Sequence, residues 1–529
     1  MTRSQTTPLK LALPFWRYGE MFGPDSSAFL LDSAMDPDRL GRFSFLGGNP
    51  SALLTARRIP GPNLSMALTL TTWRQPDGTR LDSPLVRDWS GDPFAALRDL
   101  NRDYHPKMSE KRPPGGPFQS GLIGYFGYET GYAIEVLPDT SEDDLQLPDL
   151  AFMVVDEVLC HDHSTGETTL SIIDRGDADS VLKDWRASLA TFEADAGVRR
   201  TGCHTPASPG RLEGSGARRA EDPGSRASRS HGWRRPASPG SGGMASGPPD
   251  VRAHFNRESY CTAVQQCRDH IYAGDVFEVC LTHRLEMDLP GNPWELYGIL
   301  REINPAPFAA WLRFPGFQVV SASPERFLRL GDDRTAESRP IKGTRPRGAD
   351  PTQDKQLRDD LANSTKDRAE NVMIVDLVRN DLGRVAQIGS VEVPELQVIE
   401  EYATVFQMVS TVRARLREDR DSFDLVRACF PGGSMTGAPK IEAMKIIDAI
   451  EPVKRGIYSG AIGYFDHSGV MDLSIVIRTI VCQEGRVTFG VGGAVVADSD
   501  PADEYQETLD KAKALIAAVR ALACDKETP

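Results

Sequence analysis

The sequence has no long hydrophobic run. Its apolar stretches, such as Leu11–Trp16, are far shorter than the roughly 20 residues that cross a bilayer. The N-terminus also leads into no apolar segment with the small-residue ending of a secretory signal. We therefore expect a protein without a membrane span that is located in the cytoplasm.

Positive charge is scarce as well. The 529 residues include 61 Lys and Arg against 75 Asp and Glu, which gives a net charge of −14. Nucleic-acid binding depends on neutralising phosphates, so this balance argues against a nucleic-acid partner. A small anionic substrate remains compatible with it.

Cysteine pairs with metal-binding spacing are absent. The eight cysteines form no CxxC motif and no combination with histidine that would hold zinc. We predict reduced thiols, most of them in the core.

The chain contains enough apolar residues for a large core, and one segment poor in apolar residues interrupts it. Hydrophobic residues make up 40% of it, as in ordinary globular proteins. Between residues 196 and 250, however, 26 of 55 positions are Gly, Pro or Ser, and such a segment buries too little apolar surface to offset its ordering entropy. We predict an N-terminal subdomain over 1–195, a disordered linker over 196–250 and a larger domain over 251–529.

Both parts mix strand and helix patterns. Alternating or continuous apolar runs predict strands over Met66–Thr71, Thr168–Ile173 and Ile475–Cys482. A helical period predicts helices over Lys366–Arg384 and Asp503–Ala523. We therefore expect an α+β fold.

One glycine-containing run occurs twice. Gly121–Phe126 reads GLIGYF and returns as GAIGYF at Gly460–Phe465. Glycine within a strand marks a bulge or a close backbone approach. We interpret the copies as tight crossings in two packed sheets, with coincidence as the alternative.

A lysine and a glutamate are candidates for covalent and acid–base chemistry. Lys342 stands between an apolar residue and a glycine, and partial burial that lowered its pKa to about 8 would make the neutral amine a nucleophile. Glu325 can approach Lys342 across a hairpin near residues 331–333 and would then protonate a departing hydroxyl. A solvated lysine and a surface or capping acid are the structural alternatives.

Acidic side chains on two predicted helices are candidates for a magnesium site. Glu370 shares a helix face with Ile374 and Val378, so it should face inward. Glu504 and Glu507 share a face of the last helix. Together they would supply the oxygen ligands that Mg²⁺ prefers, although an ordinary buried ion pair would explain Glu370 as well.

The sequence also contains candidate anion-binding residues. The backbone of Gly492, Gly493 and Ala494 can present N–H groups to a carboxylate. Ser434 lies in a glycine-rich loop that enters a helix N-terminus, a place that attracts anions. The Arg478 guanidinium can bind a carboxylate through two hydrogen bonds. This carboxylate belongs either to a substrate or to an acidic residue of the protein.

Taken together, these motifs resemble the chorismate-utilising enzymes over nearly the whole chain outside the linker. The most specific pieces are Pro340–Thr344, Asp376–Gly383, Gly437–Lys440 and the helix start Glu504–Thr508. The resemblance implies the fold of anthranilate synthase component I, with two packed β-sheets flanked by helices. It makes residues 251–529 the chorismate-binding catalytic domain.

Lys342 resembles the lysine found in the branch of this family that forms 4-amino-4-deoxychorismate for 4-aminobenzoate and folate synthesis. The branch that forms anthranilate has alanine at this position. The resemblance implies that Lys342 attacks carbon 2 of chorismate while the hydroxyl at carbon 4 leaves, assisted by Glu325. Ammonia then adds at carbon 4 and displaces the lysine. Anthranilate formation is the alternative reaction, and a catalytically inactive regulatory subunit is the non-enzyme alternative.

Two departures from relatives bear on this choice of branch. Glu278 stands where isochorismate-forming relatives have lysine, which argues against hydroxylation. Residues 405–407 contain no histidine, although relatives that eliminate pyruvate often have one near this place.

The same resemblance assigns the binding residues. It makes Glu370 and Glu507 ligands of Mg²⁺, with Asp367 and Glu504 nearby. It makes Ser434 a polar contact and assigns the substrate carboxylates to Tyr458, Arg478, Gly492, Gly493 and Ala494.

Two further ligands or partners follow from the resemblance. The segments 30–33 and 41–45 are similar to those that form a tryptophan site in relatives, which makes Ser33 a candidate tryptophan-binding residue and leaves open whether tryptophan binds. No glutaminase signature is present, so ammonia must come from solution or from a separate glutamine amidotransferase subunit. We predict such a partner.

Overall fold

The computed structural model describes residues 3–33, 35, 40–61, 64–105, 116–200, 245–246, 250–402 and 405–524. In these ranges the strands are β1 (Arg3–Leu9), β2 (Ala28–Asp32), β3 (Phe43–Gly48), β4 (Ala52–Arg58), β5 (Met66–Arg74), β6 (Arg80–Gly91), β7 (Gly121–Phe126), β8 (Leu150–Val155), β9 (Glu157–Asp162), β10 (Glu167–Asp174), β11 (Ala245–Ser246), β12 (Arg252–Ala253), β13 (Glu278–Asp288), β14 (Phe308–Phe314), β15 (Phe317–Ser323), β16 (Arg326–Leu330), β17 (Thr335–Ser338), β18 (Ile341–Pro346), β19 (Glu392–Glu401), β20 (Val405–Arg415), β21 (Gly437–Ala438), β22 (Ala461–Asp466), β23 (Met471–Ile475), β24 (Thr479–Gln483) and β25 (Arg486–Val495).

The described ranges also contain helices. They are α1 (Pro93–Tyr104), α2 (Ala178–Arg200), α3 (Arg257–Ala273), α4 (Pro293–Ile303), α5 (Pro351–Asn363), α6 (Thr365–Gly383), α7 (Ser422–Cys429), α8 (Lys440–Ile450) and α9 (Pro501–Cys524), with short 3₁₀ helices at Phe15–Met21, Tyr128–Ala133 and Gly433–Met435. Ser364 begins α6 because its hydroxyl accepts the N–H of Asp367, as expected of an N-cap. The two helices predicted at Lys366–Arg384 and Asp503–Ala523 are confirmed.

The strands form two large, mainly antiparallel sheets. The first sheet runs β1-β10-β9-β3-β2-β14-β15-β24-β25-β13-β12-β11, with β21 also paired to β13. The second runs β18-β20-β17-β16-β23-β22-β7-β8-β4-β5-β6, with β19 also paired to β20. Each sheet combines strands from before residue 196 with strands from after residue 250. The division into 1–195 and 251–529 stays a prediction, although strands from both sides of it are paired within each sheet.

The apolar core lies between the sheets and beneath the helices. Phe29 and Val319 of the first sheet pack with Ile123 and Tyr125 of the second in one buried cluster. Helices α3, α4 and α9 cover the first sheet, α1 and α6 lie against the second, and α7 packs on α1 and α6. This arrangement confirms the expected α+β fold of two packed sheets flanked by helices.

The repeated GxIGYF runs are neighbours in one sheet, so their interpretation as crossings in two separate sheets is wrong. Strands β7 and β22 pair antiparallel, and Gly124 lies directly opposite Gly463. A Cβ on Gly124 would lie 1.9 Å from the carbonyl oxygen of Ala151, and one on Gly463 would lie 2.0 Å from that of Asp472. Each glycine is therefore required by close backbone approach within the second sheet.

The predicted single strand Ile475–Cys482 is also wrong. The chain leaves β23 at Ile475 in the second sheet and enters β24 at Thr479 in the first. Arg478 makes this change of direction with a left-handed φ of 53°. A continuous apolar run does not reveal such a change of sheet, because both halves are buried on both faces.

Most of the predicted linker 196–250 falls outside the described residues. Helix α2 continues through Arg200, so the first residues assigned to the linker are helical instead. The cysteines within the described ranges are free thiols, and five of these seven are buried, as predicted. Among the described residues, none of the helices has the length and apolar character that crossing a membrane requires.

Candidate active site

The candidate site lies where the chain passes twice from one sheet to the other. The first crossover joins β15 to β16 through Pro324 and Glu325, and the second joins β23 to β24. The two crossovers are bonded to each other, since the N–H of Ile475 donates to the carbonyl of Glu325 at 3.0 Å. The Ser323 hydroxyl donates to the carbonyl of Ile475 at 2.6 Å. Side chains from both sheets therefore meet at this place.

Glu325 and Lys342 are brought together as the hairpin hypothesis predicted. Strands β16 and β17 pair antiparallel, and the N–H of Ile341 points to Oε1 of Glu325 at 3.5 Å. Ser434 donates its hydroxyl to the same oxygen at 3.1 Å. Burial of the carboxyl raises its pKa to about 7, against the opposing effects of Ser434, Ile341 and Lys342. A carboxyl with this pKa can hold a proton near neutral pH and donate it.

The state of Lys342 differs from the sequence prediction. Its Nζ lies 2.8 Å from Oε1 of Glu278, a glutamate at the start of β13 with no exposed surface. Burial opposes the charged form of Lys342, but the carboxylates of Glu278 and Glu370 outweigh burial and raise its pKa above the ordinary value. The predicted lowered pKa and uncharged resting amine are therefore wrong. Lys342 rests as an ammonium ion that must lose a proton before it can act as a nucleophile.

Arg455 holds the walls of the site in place, and the sequence reasoning missed it. Its guanidinium is buried, pairs with Glu451 at 2.6 Å, and donates to the carbonyls of Met435 and Cys280 at 2.6 and 2.7 Å. It thereby ties the glycine-rich loop to β13. The two carbonyls belong to residues that lie 20 and 175 positions earlier in the sequence. No local sequence pattern therefore identifies this function.

The predicted carboxylates converge at the junction of α6, α9 and β25. Lys366 Nζ lies 3.9 Å from Glu370 and 3.8 Å from Glu504, so one ammonium bridges the two helices. A Cβ on Gly493 would lie 3.0 Å from Oε2 of Glu504 and 3.5 Å from Oε1 of Glu507. The three glutamates therefore border a common space in front of β25.

The electrostatics of the three glutamates differ. Burial raises the pKa of Glu370 to about 7 and raises that of Glu504. Burial acts on Glu507 in the same direction, yet the ammonium of Lys511 at 2.6 Å outweighs it and lowers the pKa of Glu507. Lys511 follows Glu507 by four residues on one helix, a spacing that could have identified this pair from the sequence.

These carboxylates suit a hard cation. Among the described residues, no three His, Cys, Asp or Glu side chains already surround one point as metal ligands. Oε1 of Glu370 and Oε2 of Glu504 are nevertheless buried and receive no hydrogen bond. Mg²⁺ takes one or two protein carboxylates and completes its shell with water and substrate oxygens. The residues present fit that ion.

Asp367 lies beside this group but is engaged elsewhere. It pairs with Arg345 at 2.9 Å. A Cβ on Gly343, whose φ is 88°, would lie 2.9 Å from the carboxyl of Asp367. The glycine after Lys342 is thus needed both for the backbone turn and for the approach of α6.

Among the predicted anion-binding residues, Gly492, Gly493 and Ala494 lie on β25 and Arg478 lies at the β23–β24 crossover. Gly492, Gly493 and Ala494 pair with β13, whereas β24 pairs only with residues 486–488 of β25, so this segment has a strand neighbour on one side. A Cβ on Gly490 would overlap the ring of Tyr458, which packs flat against the strand. Arg478 donates to the carbonyl of Lys511 at 2.6 Å, and burial lowers the pKa of its guanidinium.

A separate cavity of about 380 Å³ lies between the sheets on the other side of the crossovers and contains Ser33. The Ser33 N–H donates to the Ser44 hydroxyl at 3.0 Å. Phe45, Phe308 and Tyr464 contribute aromatic surface to the wall. The structure therefore places Ser33 in a cavity with a mixed polar and aromatic lining.

Comparison with known proteins identifies the family. Residues 86–517 match the family described as chorismate binding enzyme. The chain is 37% identical to aminodeoxychorismate synthase component 1 of Klebsiella aerogenes, over 96% of this chain and 98% of that protein. It is 39% identical to the aminodeoxychorismate synthase of Streptomyces griseus over 97% of its own length, but spans only 63% of that relative. The chain belongs to the chorismate binding enzyme family.

A solved structure supports the fold assignment. The chain is similar to anthranilate synthase component I from Streptococcus pneumoniae TIGR4, with a TM-score of 0.64 and 28% identity. The match covers 90% of this chain and 93% of that one. The predicted fold of anthranilate synthase component I is confirmed.

Proposed function

We propose that the chain is an aminodeoxychorismate-forming enzyme that converts chorismate and ammonia to 4-amino-4-deoxychorismate. The observation that carries the proposal is the buried pair of Lys342 and Glu325, 17 residues apart in sequence and joined at one site by the β16–β17 hairpin. The names of the Klebsiella and Streptomyces griseus relatives support the same reaction. The product would lead to 4-aminobenzoate and folate.

In the proposed reaction, Glu325 donates a proton to the hydroxyl that leaves carbon 4. Its pKa of about 7 keeps a substantial fraction of the carboxyl protonated at neutral pH. Lys342 attacks carbon 2 and holds the ring until ammonia adds at carbon 4 and the lysine departs. Tyr458, Arg478 and the Gly492–Ala494 segment orient the carboxylates of the substrate, with Ser434 at its hydroxyl side.

We further propose Mg²⁺ as the cofactor, held by Glu370 and Glu507 with Glu504 and Asp367 nearby. When bound, the ion would neutralise a substrate carboxylate. The oxygens of Glu370 and Glu504 that receive no hydrogen bond support a cation at this place.

Ammonia is proposed to come from a glutamine amidotransferase subunit. The name component 1, carried by the Klebsiella relative, supports a second component. If the isolated chain used glutamine as efficiently as ammonium salts, this partner would be unnecessary.

Tryptophan is proposed to bind the cavity that contains Ser33, and a rise in melting temperature on its addition would test this.

We also retain the prediction of a cytoplasmic location.

The decisive experiment compares the wild-type chain with Lys342→Ala in the presence of chorismate, Mg²⁺ and ammonium, with products identified by mass. We expect 4-amino-4-deoxychorismate from the wild type and none from the variant. Lys513→Ala is the matched control, because this lysine is exposed on α9 and, within the described residues, forms an ion pair only with Asp510. Fluorescent anthranilate as the wild-type product would instead support the alternative reaction, and unchanged output from Lys342→Ala would exclude the covalent step.

A further inference from the structure

The partner of Lys342 is an unusual glutamate. Glu278 is fully buried. It stands at the start of a strand that continues with the apolar residues Val279, Cys280 and Leu281, so its charge is isolated in an apolar segment. Its Oε1 accepts a 2.8 Å hydrogen bond from Lys342 Nζ. Its Oε2 is buried and accepts no hydrogen bond from any described residue. Half of this carboxylate is thus unsatisfied, which is costly for a group that serves stability alone.

Lys342 needs a proton acceptor, and the candidates are the titratable groups that surround it. The titratable groups that face Lys342 are Glu278 and Cys280 on β13, Glu370 on α6, Glu325 at the β15–β16 crossover and Glu507 on α9. Glu325 must hold a proton in order to donate it. Among the described residues, Lys342 Nζ donates a hydrogen bond to one of these groups, Glu278. Proton transfer along an existing hydrogen bond requires no rearrangement of side chains.

We propose that Glu278 is the catalytic base that takes the proton from Lys342 when the lysine attacks the ring, an inference that rests on the proposed function. Oε1 of Glu278 receives one ammonium proton, and the freed lone pair forms the bond from Nζ to carbon 2. The electrons of the two ring double bonds shift toward carbon 4, where the carbon–oxygen bond breaks. The hydroxyl takes the proton of Glu325 and leaves as water, and the adduct is a protonated secondary amine.

The second half of the reaction restores both acids. Ammonia adds at carbon 4, the double bonds shift back, and the bond between carbon 2 and Nζ breaks. The released amine of Lys342 recovers its proton from Glu278, and the new ammonium at carbon 4 gives one proton to Glu325. Glu278 therefore ends each cycle as the carboxylate seen beside Lys342.

The test is Glu278→Gln, which keeps the size of the side chain and removes its basicity. We expect kcat to fall by about 10²- to 10⁴-fold, the usual contribution of a general base, while the Kd for chorismate with Mg²⁺ changes by less than about threefold. Because solvent must then remove the lysine proton, the rate of this variant should rise with pH up to about pH 7 and level off above it, where Glu325 loses its own proton. Glu286→Gln is the matched control, since Glu286 is a buried, ion-paired glutamate on the same strand, and it should retain wild-type kcat.

The opposite result has a clear meaning. If Glu278 only holds Lys342 in place as an ammonium ion, removing its charge lowers the pKa of the lysine, and kcat at neutral pH stays equal or rises. Either outcome would overturn the inference. Should Glu278→Gln fail to fold, Glu278→Asp retains the charge with a shorter reach, and wild-type kcat with wild-type pH dependence in that variant would also refute it. Failure of the proposed function is distinguishable, because the wild-type chain itself would then form no 4-amino-4-deoxychorismate.

Discussion

The pH dependence of turnover should be set by the carboxyl of Glu325 and adjusted by the hydroxyl group of Ser434. Burial raises the pKa of Glu325 from 4.5 to about 7, a rise of about 2.5 units that corresponds to about 3 kcal/mol against the ionised form. The Ser434 hydroxyl, 3.1 Å from Oε1, favours the ionised form. A hydrogen bond to a charged group contributes about 1.5–3 kcal/mol, so Ser434→Ala should raise the pKa of Glu325 by about one unit or more.

The assay is kcat/KM for chorismate between about pH 6 and 9, because this ratio reports the protonation of the free enzyme. The concentration of free ammonia is held constant, so that its own titration does not enter the profile. Since Glu325 acts in its protonated form, kcat/KM should fall about tenfold per pH unit above its pKa. We expect the midpoint of this decline near pH 7 in the wild type and about one unit higher or more in Ser434→Ala.

A matched control is available at a distance from the site. Ser51 also donates to a buried carboxylate, that of Asp156, at 2.5 Å, and Ser51→Ala should leave the midpoint unchanged. A midpoint that stays near 7 or moves to lower pH in Ser434→Ala would refute the assignment of Glu325 as the proton donor.

Two further predictions concern the metal and the sheet. A chelator should abolish chorismate turnover and added Mg²⁺ should restore it, with Glu507→Gln raising the Mg²⁺ concentration needed by at least about tenfold; full turnover in the presence of the chelator would contradict the proposed cofactor. Gly124→Ala should lower the free energy of unfolding by about 1–3 kcal/mol or more, because its Cβ would lie 1.9 Å from the carbonyl oxygen of Ala151. Gly383→Ala, with no atom within 4 Å of its Cβ, is the control, and equal denaturation midpoints for both variants would contradict the steric explanation.

The sequence identified the local parts of the site well. The stripe of Glu370, Ile374 and Val378 predicted helix α6 and the inward face of its carboxylate, because helical periodicity depends only on neighbouring residues. Glu325 and Lys342 were predicted to approach one another for a similar reason, since a short hairpin lies between them, and the structure places them near each other.

The charge on Lys342 could not be predicted in the same way. Its partner Glu278 is 64 residues earlier and reaches it only because the first sheet packs against the second. An isolated charge in the apolar run around Glu278 was the available signal, but it names no partner. The strand predicted over Ile475–Cys482 failed for a related reason, because hydrophobicity reports burial and does not report which sheet buries a residue.

The two crossovers beside Glu325 and Arg478 have a consequence for motion of the whole molecule. Short covalent connections hold the two sheets together at this place, as they also do where β3 leads into β4 and where β8 leads into β9. Rocking of one sheet against the other is therefore restrained at several places, and the arrangement of Glu278, Glu325 and Lys342 is restrained with it.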